Sequence, residues 1–247
     1  MRNARRVWLA PAYVLHQYPY RDTSRIVEAF TSEHGRVSLF ARGARAQKSP
    51  LKGVLRPFQR LLLSWSGRGD ACQLLGAEID GASTALAADR LMSGFYMNEL
   101  LLKLTERFDP HPEIFFTYAS CVAQLCGGQP EEPALRRFEK HLLDDLGYGL
   151  ELGRTGEGAP VDPNGYYRFA LQSGALPCVA GAPGAVCGQS LADLQAERFS
   201  DARSLKDAKR VLRAAIDACL DGRPLKSREV ALALRHRESA SSSREAS

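Results

Sequence analysis

Two hydrophobic periods divide the chain. Through residue 80, apolar residues come in short runs or alternate with polar ones, and turn residues break the runs. "VWLAPAYVL" (7–15) is rich in β-forming residues, and Pro11 is expected to make its centre an edge or a bulge. "RIVEAFT" (25–31) is a second strand and "SEHG" (32–35) a turn. "RVSLFA" (36–41) alternates, with Val37 and Leu39 on one face and Arg36, Ser38 and Phe40 on the other. "RLLLSWS" (60–66), the tight turn "GRGD" (67–70) and "ACQLLGAEID" (71–80) complete the series. About five strands in this span is the count of a small barrel.

From Leu86 to Arg107 the period becomes helical. Met92, Tyr96, Leu100 and Leu104 recur at four-residue steps, with Leu91 and Phe95 beside them. "DPHPEIFFTYASCVAQLCGG" predicts a second helix, with Pro112 in its first turn and Gly127-Gly128 at its end. "EEPALRRFEKHLLDDLGYG" predicts a third. Glu131 and Glu132 favour its N-terminal dipole, Leu135, Phe138, Leu142 and Leu146 make its buried stripe, and Gly147 stops it. Residues 151–189 are rich in Gly and Pro and carry a plausible strand at 166–171, so a small subdomain of hairpins is expected. Helices return at 190–199, 201–222 and 223–234. In the middle one Leu205, Ala208, Leu212, Ile216 and Cys219 point inward, and Ser204 with Asp207 resembles a capping box. The tail, "ESASSSREAS", is expected to be disordered. The domains are therefore drawn at 1–80, 81–235 (with the insert at 151–189) and 236–247.

Charge sharpens this division. The net charge of +5 is made of +9 over residues 1–70, −7 over 71–160 and +3 over 161–247. A basic head on an acidic middle suggests separate modules, the head facing a polyanion. No run of about 18 apolar residues is present, so no membrane span is expected. The basic N-terminus is followed by an apolar stretch broken by Pro11, His16 and Gln17, which does not suit a signal peptide. The six cysteines are scattered without a framework, as in a reducing cytoplasm.

Enzyme motifs fail at the residues their chemistry needs. "GARAQKS" (43–49) ends in Lys-Ser, but Gln47 stands where a phosphate-cradling loop requires its second glycine. There is no G-x-S-x-G and no H-E-x-x-H. The five histidines have no obvious partners in sequence. Cys178 and Cys187 offer two possible zinc ligands and not four. Cys121 and Cys126 would lie roughly 140° apart about a helix axis and so do not converge. A metal-dependent nuclease would need clustered acids, and the basic head has only Asp22, Glu28, Glu33 and Asp70. No enzymatic activity and no cofactor are expected.

The surviving signal is "ARGARAQKSPLKG" (41–53) and its surroundings. Arg36, Arg42, Arg45, Lys48, Lys52, Arg56 and Arg60 fall within 25 residues that contain no acid. Cations along a backbone path, with aromatic faces for bases, are what a groove for nucleic acid needs. Phe40 shares the face of Arg36, and Phe58 follows the basic loop. Each aromatic taken singly reads as core; the cations taken together read as functional. The candidate DNA-binding set is Arg36, Phe40, Arg42, Arg45, Lys48, Lys52, Arg56 and Arg68. A general small-barrel binder of RNA or single-stranded DNA is the alternative, separable by competition between the two nucleic acids.

Several segments together resemble the bacterial recombination mediator family RecO. They are "SRIVEAFTSEHGRVSLFARGARAQKSPLKGVLRPF", "LLLSWSGRGD", "FYMNELLLKL", "PALRRFEKHLLDDLGYGLEL" and "GRPLKSREV", spread over residues of about 1–235. The resemblance implies an α+β chain: an OB-fold head, a helical C-terminal domain and a zinc-ribbon-like insert. It implies binding of single- and double-stranded DNA, strand annealing, and RecA loading with RecR on DNA coated by single-strand-binding protein (SSB), in a cytoplasmic, nucleoid-associated setting. With two cysteines remaining in the insert, zinc is not expected, and packing of Tyr166, Tyr167 and Phe169 is expected to hold it. The family's site for the SSB tail implies Arg136 as carboxylate clamp, with Arg137, Leu135, Phe138 and Leu142 around it. Arg223, Lys226 and Arg228 extend the DNA path or touch a partner.

Overall fold

A computed structural model describes residues 6–67, 69, 72–199 and 201–234. The expected disordered tail at 236–247 and Arg68 lie outside the described residues. Two compact units are present, one comprising Met1–Gly127 with Pro224–Ser247 and the other Gly128–Arg223. The helical region is thus divided between the units, and its first two helices belong with the strands.

In the first unit β1 (Arg6–Tyr20), β2 (Ser24–Thr31), β3 (Gly35–Ala41), β4 (Arg60–Ser66) and β5 (Cys72–Ile79) close a barrel in the order β1-β2-β3-β5-β4. β3 and β5 run parallel and every other pair antiparallel. This is the OB-fold, and the alternating residues fill it: Ala12, Val14, Val27, Val37, Leu39, Leu61, Leu63 and Trp65 form one buried cluster. β1 is longer than its pattern predicts because two bulges, at Val7/Ala10 and Val14/His16, bend it around both neighbours. Pro11 is therefore not on an edge. It lies between the bulges, opposite Leu62, and its carbonyl accepts from Ser32 N at 3.3 Å.

α1 (Leu91–Leu104) and α2 (Pro112–Cys126) cover one wall of the barrel. Tyr13 and Phe30 of the strands meet Phe115 and Tyr118 of α2 at ring separations of 5.0–6.5 Å. Of the expected stripe Met92, Tyr96, Leu100 and Leu104, only Leu100 is fully buried. Ser93, Gly94, Met97, Asn98, Leu100 and Leu101 are buried, and Phe95 is exposed. Gly94 permits a close approach, since a Cβ there would lie 2.6 Å from Phe58 ring atoms. Asn98 is drawn inward because its Nδ2 donates to the Leu15 carbonyl at 2.9 Å and its Oδ1 accepts from Tyr118 Oη at 2.6 Å. Burial holds the Tyr118 hydroxyl well above its usual pKa, so it remains a neutral donor.

The second unit contains α3 (Glu131–Asp145), α4 (Gly188–Gln195), α5 (Ala202–Leu220) and a small sheet ordered β7 (Gly174–Pro177), β6 (Tyr166–Ala170), β8 (Val186–Cys187). α5 starts earlier than the expected capping box. Asp201 is its N-cap, accepting from Arg203 N and Ser204 N, while Ser204 Oγ turns to Asp193. In the insert Tyr167 alone of the three named aromatics is buried. Hydrogen bonds supply the rest: Asp207 Oδ2 accepts from Cys187 N at 3.2 Å and Ser190 Oγ at 2.8 Å, and Asp162 N donates to Tyr167 Oη at 2.8 Å. The Cys187 thiol faces the Pro163 carbonyl. Among the described residues no group of three or more His, Cys, Asp or Glu could hold a metal ion. Two insert cysteines do not fit a tetrahedral zinc site.

Candidate nucleic-acid interface

β3 ends at Ala41, and the chain then turns sharply. Gly43 holds a φ of +68°, a conformation that glycine adopts without strain. Backbone bonds fix the turn: Arg45 N donates to Thr23 O at 2.7 Å and Ala46 N to Gly43 O at 3.0 Å. Ser49 caps a single 3-10 turn, Pro50–Lys52. The loop is amphipathic by position. Ala44 and Leu55 are buried in the barrel cluster, and Leu51 and Val54 pack against it. Arg42, Arg45, Lys48, Lys52 and Arg56 all point to solvent. Gln17 Nε2 ties Leu55 O down at 2.6 Å. The apolar anchors thus fix the path of the loop, and the cations line its outer side. An array of this kind suits the backbone of an anionic polymer.

The other head residues divide. Arg36 is a structural ion and leaves the DNA-facing set. Its side chain is only 13% exposed, with Nη1 3.2 Å from Glu28 Oε2 and Nη2 donating to Thr105 O at 3.0 Å. Glu28 also receives Arg107 at 2.6 Å, so one buried carboxylate gathers two guanidiniums. Arg60 pairs with Asp80 at 2.6 Å. Phe58 is buried. Phe40 is half-buried, and its ring meets Tyr20 edge-on at 5.4 Å.

Sequence reading missed Tyr18, Tyr20 and Arg21. Tyr18 is 48% and Tyr20 37% exposed at the C-terminal end of β1. Arg21 lies over the Tyr20 ring, 5.3 Å from its centroid. Arg45 Nη1 donates to Arg21 O at 3.3 Å, which joins the basic loop to this strand end. The signal was present in "HQYPY" (16–20), where His16, Tyr18 and Tyr20 alternate. Pro19 and the expected strand end at Leu15 concealed it.

In the second unit four of the five residues expected to cradle a peptide tail are core. Leu135, Phe138 and Leu142 are buried in α3. Arg136 is 4% exposed, and its Nη2 reaches Glu139 Oε1 at 2.8 Å, so its charge is engaged within its own helix. Arg137 presents a side chain 40% exposed, with its guanidinium over Phe199 and near Glu197.

The last candidate cations fall in different units. Arg223 closes the end of α5, its Nε donating to Leu220 O at 2.9 Å. Lys226 and Arg228 lie on the helix that begins at 226 and is described to 234. Glu99 anchors that helix by accepting from Lys226 N at 2.9 Å and from Ser227 N at 2.8 Å and Oγ at 2.7 Å. Burial pushes the Glu99 carboxyl up, but the Ser227 and Lys226 hydrogen bonds and the Lys103 charge outweigh it and leave the pKa lowered. Lys226 is exposed, and Arg228 lies over the Tyr96 ring at 5.5 Å. No helix among the described residues is long and apolar enough to cross a membrane.

Family comparison agrees with the fold. A family described as "Recombination protein O N terminal" matches residues 4–79, and "Recombination protein O C terminal" matches residues 86–229. The DNA repair protein RecO of Azoarcus sp. (strain BH72) is 44% identical over 227 residues, covering 89% of this chain and 93% of the relative. That of Aromatoleum aromaticum is 44% identical over 234 residues, covering 93% and 97%. That of Methylococcus capsulatus is 42% identical over 226 residues, covering 91% and 93%.

Proposed function

The chain belongs to the recombination protein O family, whose work is DNA repair and recombination, and from that premise we propose that it is a non-enzymatic mediator whose barrel grips DNA by its phosphates. The observation that carries this reading is the loop from Arg42 to Arg56, with apolar anchors inside the barrel and five cations outside. Single- and double-stranded DNA both present the phosphates such a loop needs. Annealing follows when the cations screen two backbones at once and leave the bases free to pair. The family resemblance supports the later steps: with RecR, the chain promotes RecA loading on SSB-coated DNA. The acidic SSB tail falls to the helical part, where Arg137 is the α3 arginine open to a terminal carboxylate.

The test is to mix two complementary labelled strands with the protein. Faster duplex formation that fades as salt rises, with both strands keeping their length when a divalent metal is added, is the expected outcome. Unaccelerated pairing, or shortened strands, would contradict the reading.

A further inference from the structure

The outer face of the barrel is covered by helices at one end and open at the other. The covered end holds Tyr13, Phe30 and the Glu28 ion cluster. The open end holds a different set. Cross-strand register places Tyr18 opposite Ile26, and Ile26 opposite Phe40, so three adjacent strands contribute to one row. Tyr20 sits one step along the same face and touches the Phe40 ring edge-on at 5.4 Å. His16 packs edge-on against Tyr18 at 4.4 Å.

Exposed tyrosines cost hydrophobic free energy that burial would have recovered, and an apolar, aromatic strip left open beside a charged loop marks a binding face. The charge beside it identifies the partner. Arg21 lies at the end of the strip, and Arg45 is bonded to the Arg21 carbonyl, so the cations follow directly on from the rings. Asp22 is the one acid in that turn. Rings for π-faces, bordered by cations for phosphates, match a polymer that offers both at once: unpaired nucleotides. A duplex offers its phosphates but keeps its base faces stacked inside.

We propose that Tyr18 and Tyr20, backed by Phe40, form a base-stacking platform that makes the barrel prefer single-stranded to double-stranded DNA. This rests on the DNA-binding reading above and adds to it: the loop supplies affinity for any DNA, and the tyrosines supply the discrimination. Bases held only by stacking keep their pairing edges free, which suits a face that presents one strand to another.

Three probes separate the contributions: a short oligothymidylate, a duplex, and an abasic deoxyribose-phosphate strand of equal length. The wild-type chain binds oligothymidylate more tightly than the abasic strand. Tyr18→Ala with Tyr20→Ala lowers oligothymidylate affinity about tenfold per ring removed, bringing it close to the abasic level, and lowers duplex and abasic binding far less. Tyr18→Phe with Tyr20→Phe keeps the rings and retains wild-type affinity, which excludes a role for the hydroxyls. Oligothymidylate binding that is unaltered by the alanine pair, or equal to abasic binding in the wild type, overturns the platform while the phosphate-gripping loop stands. Failure of all three probes to bind would instead remove the DNA-binding reading itself.

Discussion

Replacing Arg42, Arg45, Lys48 and Lys52 together by Glu is expected to weaken DNA binding by roughly a hundredfold or more near 0.1 M salt. Each lost phosphate contact forfeits the counterions it would have released, and each new carboxylate repels the backbone. All four side chains are exposed, and the anchors Ala44, Leu51, Val54 and Leu55 are untouched. Surface changes of this kind usually alter stability by no more than about 0.5 kcal/mol each. The variant should therefore keep a cooperative thermal transition while losing affinity for single strands and duplex alike. Titration of a labelled strand by fluorescence anisotropy measures the loss. Wild-type affinity in the folded variant would take this loop out of the interface.

Arg136→Ala should act on stability first. The change removes the guanidinium that faces Glu139 at 2.8 Å, where both residues are buried. Leaving a buried carboxylate without such a partner costs about 3–5 kcal/mol. In a unit of this size the transition should fall by more than about 10 °C. A double change, Arg136→Met with Glu139→Leu, removes both charges and should recover most of the loss. Calorimetry on the three proteins decides the matter, and a single variant as stable as wild type would contradict it. Arg137→Ala should leave the fold intact, so it is the cleaner probe of any peptide carboxylate at α3.

Much of the barrel was legible because its interior imposes a period of two. Val37 and Leu39 face inward as their alternation predicts. The same logic lost the end of β1, where bulges and Pro19 interrupt the pattern just as Tyr18 and Tyr20 come to the surface. In α1 the apolar count misled, because hydrogen-bond demand outranked it. The Leu15 carbonyl and the Tyr118 hydroxyl draw Asn98 inward, and Gly94 lets the helix close on Phe58. Arg36 illustrates the limit for charge. Composition counts it with the loop cations, but its partners Glu28 and Thr105 come from other elements and hold it away from solvent. Local sequence contains the cations of the loop, and only the fold tells which of them are already paired.

The salt dependence of single-strand binding by the wild-type chain reports on the phosphate contacts themselves. If the five exposed cations from Arg42 to Arg56 each hold a phosphate, the logarithm of affinity should fall against the logarithm of salt with a slope of about −3.5. A slope near zero, with binding that persists at high salt, would mean that this loop does not hold DNA by its phosphates.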